Sequence, residues 1–215
     1  VIIYAVTDAE KGYHGGISAF LLEKGWAGFR ARAPYDKMGL RSSELGELVL
    51  DDVRVPGEAL LGAPGAGTSI FNHAMDWERV CLLASHVGTM ERLLEKSIEY
   101  ARTRRQFGQT IGKFQAISNR IADMKVRLEA AHLLVCRAAT NLEKRRTVSL
   151  DAAIAKLFVS ESYIQTALDA VQIHGGAGYL TENELERSVR DSVASTIYSG
   201  SSEMQKNIIA RWLGL

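Results

Sequence analysis

Two breaks rich in glycine and serine near the end of the chain hold residue types suited to ligand binding. The first, residues 172–178, has the sequence QIHGGAG, whose glycines let the backbone turn sharply and let a ligand approach the main chain. The second, residues 197–203, has the sequence IYSGSSE, and its hydroxyls are suited to cap a following helix. Residues 182–191 between them are rich in charges of both signs. The two breaks therefore either border one ligand pocket or are ordinary connections between helices.

Composition argues against several function classes. The 215 residues carry a formal net charge of +1, so no basic excess indicates binding to nucleic acid or to an anionic membrane surface. No apolar run is long enough to span a bilayer. The five histidines are isolated and lack metal-ligand spacing, so we expect no metal. The two cysteines, Cys81 and Cys136, lie in apolar helical patterns and are predicted to be buried, reduced thiols.

The elements that must position these residues change type near residue 65. Before it, short runs rich in β-branched and aromatic residues predict strands, and all three prolines lie in this part. After it there is no proline, and the apolar residues follow a helical period. We therefore predict an α+β protein in which residues 1–64 form part of an antiparallel β-domain and residues 65–215 form an antiparallel four-helix bundle.

Four apolar stripes define the predicted helices. The first stripe comprises Val80, Leu83, Val87, Met90, Leu94 and Ile98. The second comprises Ile117, Ile121, Met124, Leu128, Ala131, Val135, Ala138 and Leu142. The third is expected to follow an N-cap at Ser149 and comprises Ile154, Leu157, Ile164, Leu168 and Val171, and the last comprises Met204, Ile208 and Leu213. Because the steps are mostly three or four residues, each stripe predicts one buried helix face.

Three stretches in the same order resemble the acyl-CoA dehydrogenase family, flavoproteins that desaturate acyl thioesters. They are residues 172–205, residues 100–115 with the sequences RTRRQFG and IGKFQ, and residues 36–56 with DKMGLR and ELVLDDVRVP. The resemblance covers essentially the whole chain and implies FAD as cofactor and a homodimer or homotetramer. Family members have a helical domain and half of a β-domain before this point. We therefore expect the C-terminal part of a longer cytoplasmic subunit that is inactive alone.

The resemblance also implies the cofactor contacts. Arg104 matches the arginine that reaches the flavin's diphosphate, and Gln106 and Phe107 match positions on the adenine side; alternatively, Arg104 belongs to a solvated helix end. Further flavin contacts are implied for Phe114, Gln115, Ser201 and Glu203. Contacts to a neighbouring subunit's flavin are implied for Gln172, Ile173, His174, Gly175 and Gly176. Cofactor binding would then depend on dimerisation, with His174 a packed polar residue and not a catalytic group.

The position of the catalytic base differs between groups of this family. Many members have a glutamate directly after the Ile-Tyr of the C-terminal loop, where this chain has Ser199, whose hydroxyl is far too weak a base. A second group, including enzymes that resemble isovaleryl-CoA dehydrogenase, has the glutamate on the first bundle helix, and Glu78 matches it. We therefore predict that Glu78 removes the α-proton in a closed, partly apolar pocket. Substrate contacts are implied for Asp76, Arg79, Tyr198 and Gly200.

Two alternatives stay open at this point. Glu78 is otherwise an ordinary exposed helix residue, and the chain is then a non-catalytic homologue that serves as a helical assembly module. The substrate also has two candidates, because the sequence DWER and the ending IIARWLGL resemble bacterial members that act on carrier-protein thioesters, including prolyl-carrier-protein dehydrogenases. A short or branched acyl-CoA is an equal alternative, and the sequence does not identify the electron acceptor.

Overall fold

The computed structural model describes residues 1–144 and 148–215 and divides the chain into two compact units. The first unit comprises residues 1–37 and 41–75, and the second comprises residues 38–40 and 76–215. The domain boundary predicted between residues 64 and 65 stays a prediction. In the two described ranges, no helix has both the length and the hydropathy required to cross a membrane.

Short antiparallel strands form the first unit. They are β1 (Ile2–Val6), β2 (Ile17–Leu21), β3 (Phe29–Ala31), β4 (Leu48–Leu50) and β5 (Leu60–Leu61). Strand β2 lies between β1 and β5, so that Ala19 pairs with Tyr4 on one side and with Leu61 on the other. A separate pair joins β3 to β4, with Arg30 opposite Val49. The antiparallel β-structure predicted from the sequence is confirmed.

Helices form the second unit. The α-helices among the described residues are α1 (Gly67–Thr103), α2 (Gln115–Glu143), α3 (Ser149–His174), α4 (Gly176–Tyr179), α5 (Leu185–Ala194) and α6 (Ser202–Trp212). Helix α1 begins in the first unit and continues in the second. Ion pairs from Arg127 to Asp169 and from Arg137 to Asp151 show that α2 and α3 are antiparallel. The predicted α+β class with a helical bundle is confirmed.

The predicted buried faces are confirmed for two helices and wrong for two others. Every stripe position on α1 and α2 lies in the hydrophobic core or packs against it. On α3, however, Leu168 is 45% exposed, and at the end of α6 Leu213 is 70% exposed. Because α3 contacts α2, α5 and α6, it is buried around most of its circumference and uses many small residues there. The buried residues of α6 are Ser202 and Gln205.

The prediction of buried thiols is also wrong, because Cys81 and Cys136 are both exposed in this chain. Each follows a buried valine, Val80 or Val135, that belongs to the core stripe. One residue rotates a side chain by about 100° around a helix axis. Both cysteines therefore lie beside the stripe and outside it.

Residues 38–40 belong to the second unit because they bind α5. The Leu40 N–H donates to the Asp191 carboxylate at 2.6 Å, and the Arg190 guanidinium donates to the Met38 carbonyl at 3.0 Å. Gly39 lies so close that a Cβ atom would collide with the Arg190 carbonyl oxygen. Two of the stretches that carry the family resemblance, DKMGLR and the charged segment 182–191, therefore meet directly.

Candidate active site

Helix α1 and the loop before α6 bring Glu78 and Ser199 into direct contact. The Ser199 hydroxyl donates a hydrogen bond to Oε1 of Glu78. Arg79, the next residue on α1, donates from Nε to the Ser199 carbonyl oxygen at 3.0 Å. Adjacent residues of α1 thus hold both the backbone and the side chain of Ser199. The two alternative base positions implied by the family resemblance are neighbours in space.

The loop around Ser199 has an unusual and well-supported backbone. Ser199 has a φ angle of 53° and Gly200 one of 89°, both in the left-handed region. The Gln205 side-chain amide donates to the carbonyl oxygens of Ser199 at 3.3 Å and of Gly200 at 2.8 Å. A Cβ atom on Gly200 would lie 2.8 Å from that amide nitrogen, so the position requires glycine. A left-handed serine costs about 1 kcal/mol, which these hydrogen bonds offset.

Asp76 and Ser149 support Arg79 from the other side. The Asp76 carboxylate lies 3.6 Å from the Arg79 guanidinium and accepts a hydrogen bond from the Ser149 hydroxyl at 3.0 Å. Burial lowers the pKa of Arg79 below its usual value, while the charges of Asp76 and Glu78 oppose that shift. The predicted N-cap at Ser149 is wrong, because this serine is the first residue of α3 and its hydroxyl is bonded to Asp76.

Tyr198 is anchored within the second unit by a buried histidine. Its hydroxyl lies 2.6 Å from Nε2 of His86, whose ring stacks on Tyr163 at 5.2 Å between ring centroids. Burial, together with the nearby charge of Lys156, lowers the pKa of His86 to about 4. Burial also raises the pKa of Tyr198 to about 12. At neutral pH an uncharged imidazole and a protonated phenol therefore share this hydrogen bond, and the predicted substrate residue Tyr198 fixes the loop.

The described residues leave the Glu78 carboxylate exposed, so the closed, partly apolar pocket expected around it stays a prediction. The expected side-chain cap at the start of α6 is wrong. Ser201 occupies the N-cap position of α6, but its hydroxyl does not cap the helix backbone. The backbone N–H of Glu203 and, to a lesser extent, the Ser201 hydroxyl lower the pKa of the exposed Glu203 carboxylate. The first turn of α6 thus carries a stabilised negative charge near the Ser199 loop.

The residues implied to contact the flavin's diphosphate and adenine follow the other end of α1. Strands β6 (Arg105–Gln106) and β7 (Gln109–Thr110) form a hairpin whose turn holds Phe107 at φ 49°. Phe107 is 92% exposed and meets Phe114 edge to face at 6.2 Å. Arg104 and Gln115 are also exposed. An exposed phenyl on a strained backbone is not explained by packing and marks this hairpin as a candidate ligand contact.

The end of α3 packs against the same end of α1. The His174 ring stacks on Tyr100 at 4.2 Å, and its Nδ1 donates to the Ala170 carbonyl at 2.8 Å. Gly175 then ends the helix at φ 58°. The Ile173 side chain lies in the core, so only its backbone can contact a cofactor. The remaining members of the predicted turn, Gln172 and Gly176, are exposed.

The candidate residues therefore form two groups, which we call the base group (Glu78, Arg79 and residues 198–203) and the hairpin group (residues 104–115 and 172–176). Glu78 and Tyr100 are 22 residues apart on α1. At about 1.5 Å per residue, this separates the two groups by roughly 33 Å along the helix axis. In neither group, nor elsewhere in residues 1–144 and 148–215, do three His, Cys, Asp or Glu side chains form a cluster that could hold a metal ion.

Comparison with known proteins identifies the fold family. Residues 65–214 match the family model for the acyl-CoA dehydrogenase C-terminal domain. The chain belongs to the acyl-CoA dehydrogenase family. An L-prolyl-[peptidyl-carrier protein] dehydrogenase of Pseudomonas fluorescens is 47% identical over 214 residues, covering 100% of this chain and 56% of the relative.

Two solved structures superpose closely on the chain. The crystal structure of the prolyl acyl carrier protein oxidase AnaB has a TM-score of 0.97 at 47% identity, and covers 100% of this chain and 56% of its own. A structure of PigA with FAD and proline has a TM-score of 0.97 at 43% identity, with the same coverage. The chain thus spans about half the length of the relatives that it matches.

Sequence reasoning missed the residues that support the base group of this acyl-CoA dehydrogenase chain. His86 anchors Tyr198, Gln205 holds the Ser199 loop, and Lys156, which is 2% exposed, is near enough for its charge to lower the pKa of His86. Among the described residues, no hydrogen-bond partner is found for the Lys156 ammonium. Each of the three is a polar residue on a buried helix face. That interruption of an apolar or small-residue pattern was visible in the sequence and could have identified them.

Proposed function

We propose that the protein carrying this chain is a flavin-dependent dehydrogenase that removes hydrogen from the α- and β-carbons of an acyl thioester, with Glu78 as the base. The observation that carries the proposal is the contact between Glu78 and Ser199. It provides a carboxylate beside the loop position where many family members have their glutamate. A non-catalytic homologue would have no need for a carboxylate that is held there by a strained serine.

The chain's own residues account for the proton half of this reaction. Glu78 takes the α-proton onto a carboxylate oxygen, and the electron pair of the broken C–H bond stays with the thioester. Arg79, held by Asp76, keeps the loop against α1 so that the carboxylate and the substrate carbon stay aligned. FAD, when bound, supplies the acceptor for the hydride that leaves the β-carbon.

The hairpin group has the donor set that an FAD diphosphate and adenine require. Arg104 offers an exposed guanidinium, which forms strong charge-assisted hydrogen bonds to phosphate oxygens. Phe107 and Phe114 offer aromatic surface for a purine ring, and Gln106, Gln115 and the turn at residues 172–176 offer polar groups around it. The structure of PigA with FAD supports the same cofactor for this chain.

The separation of the two groups favours an assembly of at least two chains. A dinucleotide cofactor does not bridge roughly 33 Å from the base group to the hairpin group of one chain. We infer that the hairpin group of one chain binds the adenine end of a cofactor whose flavin lies at the base group of a second chain, beside its Ser201 and Glu203. Light scattering should give a dimer or a dimer of dimers, and a monomer with tightly bound, stoichiometric FAD would contradict this assembly.

The substrate class follows from the relatives. Because the similar proteins include a prolyl-carrier-protein dehydrogenase and a prolyl carrier protein oxidase, an aminoacyl group held as a carrier-protein thioester is the favoured substrate. The alternative substrate is the same kind of acyl group carried as a thioester of coenzyme A. The cytoplasmic location expected from the sequence stays a prediction.

The proposal is tested by mixing the purified protein anaerobically with thioesters while the flavin absorbance is followed. The protein should be yellow, and a prolyl carrier protein should bleach it. A prolyl thioester of coenzyme A should bleach it more slowly if the carrier protein is recognised, and equally fast if only the thioester matters. A colourless protein that cannot be reconstituted with FAD would support the non-catalytic alternative.

A further inference from the structure

Ser199 lies where it controls only one of the two oxygens of Glu78. Its hydroxyl donates to Oε1, and the described residues provide no hydrogen-bond partner for Oε2. When a hydrogen bond fixes one oxygen of a carboxylate, the lone pairs of the other oxygen also point in a defined direction. A glutamate on a helix otherwise rotates about its side-chain bonds, which is costly for a reaction that needs an aligned base.

Further hydrogen bonds, besides the one to Glu78, hold the backbone of Ser199. Its carbonyl oxygen accepts from Arg79 at 3.0 Å and from Gln205 at 3.3 Å. Gln205 is fully buried, so this support belongs to the interior of the second unit and not to a mobile surface. The strained φ angle of 53° persists because these contacts over-determine the turn.

From this geometry we propose that Ser199 is a positioning residue that holds Oε1 of Glu78 and directs Oε2 toward the substrate's α-proton. This inference rests on the proposed function, in which Glu78 is the base. Proton transfer breaks the α-carbon C–H bond and forms an O–H bond at Oε2, while the C–H electron pair remains on the substrate. Ser199 neither gains nor loses a proton in this step.

Two substitutions of Ser199 remove its hydroxyl but differ in their effect on the strained backbone. Ser199→Ala removes the hydroxyl and keeps the strain, whereas Ser199→Gly removes the hydroxyl and relieves the strain. Ser199→Asn tolerates a positive φ angle and restores a donor through its side-chain amide. Thr196→Val is the matched control, because the Thr196 hydroxyl donates to the Val193 carbonyl at 3.0 Å.

Two rates separate positioning from folding and binding. They are the flavin reduction rate on anaerobic mixing with thioester, and the exchange of the substrate α-proton with D₂O measured by mass spectrometry. Ser199→Ala and Ser199→Gly should both slow these rates about tenfold, the low end for a hydrogen bond to a charged group. Thioester Kd and FAD content should stay within about twofold, Ser199→Asn should recover part of both rates, and Thr196→Val should match the wild type.

The outcomes distinguish this inference from the proposed function. If Glu78→Gln abolishes α-proton exchange and both deletions of the Ser199 hydroxyl behave as wild type, the positioning role is overturned and Glu78 stays the base. A loss that appears wholly in thioester Kd also overturns it, because Ser199 would then be a substrate contact. If Glu78→Gln leaves both rates unchanged, the proposed base itself fails and the inference falls with it.

Discussion

His86 should make the stability of the fold depend on pH, and this can be worked out from its surroundings. The imidazole is 7% exposed, and burial lowers its pKa from 6.5 to about 4. As pH falls, the unfolded chain therefore binds a proton on this residue before the folded chain does. The free energy of unfolding contributed by His86 is thus fully present above about pH 6.5 and is lost as pH falls toward about 4.

The size of this effect follows from the same values. Each pKa unit corresponds to about 1.4 kcal/mol, so the whole shift amounts to about 3 kcal/mol, of which about 2 kcal/mol falls between pH 6.5 and about pH 5. This upper window avoids most carboxylate titration. Urea unfolding followed by circular dichroism between about pH 5 and 7.5 measures it in the wild type and in His86→Gln, which keeps an acceptor for Tyr198.

A matched control is His132→Gln, which removes an exposed histidine on α2 and should leave the pH dependence as in the wild type. His86→Gln should remove about 2 kcal/mol of the decrease within that window. A variant that loses stability over this range as steeply as the wild type would refute the reasoning, because His86 would then not be buried as a neutral group.

Three further perturbations test separate parts of the account. Arg104→Ala should weaken FAD binding by about 1.5–3 kcal/mol, measured by titration, while Arg102→Ala at the same helix end should not; equal affinity in both would remove Arg104 from the site. Asp169→Ala should lower the free energy of unfolding by about 3–5 kcal/mol, because it leaves two arginines without their buried partner, and a loss below about 1 kcal/mol would contradict that. Gly200→Ala should destabilise the Ser199 loop and slow flavin reduction, whereas Gly88→Ala, which meets no neighbouring atom in the interior of α1, should be neutral or stabilising.

The sequence predicted those parts of the fold in which hydrophobic burial alone determines the pattern. Helices α1 and α2 each bury one side, so their apolar residues recur at helical spacing and every predicted stripe position lies in or against the core, although the fully buried Leu93 was not among them. Helix α3 is packed on several sides and uses small residues there, so its large aliphatic residues, such as Leu168, do not mark its core. The hairpin after α1 was missed because its two-residue strands carry no period.

The site was predictable only through the family resemblance. Glu78 and Ser199 are separated by 121 residues, and no local pattern indicates that they meet. The supporting polar residues His86 and Gln205 were missed because a polar residue on a buried face is visible only as an exception to the stripe around it. The sequence left open whether Glu78 is enclosed or exposed, because enclosure of a site depends on tertiary contacts that periodicity does not contain.

The role of Glu78 is tested most directly by Glu78→Gln in anaerobic mixing with a thioester substrate while the flavin absorbance is followed. The substitution keeps the size of the side chain and removes its basicity, so FAD and thioester binding should stay nearly unchanged. Flavin reduction should slow by at least about 100-fold, the low end of general-base effects. If Glu78→Gln bleaches the flavin as fast as the wild type, Glu78 is not the base and another carboxylate removes the proton.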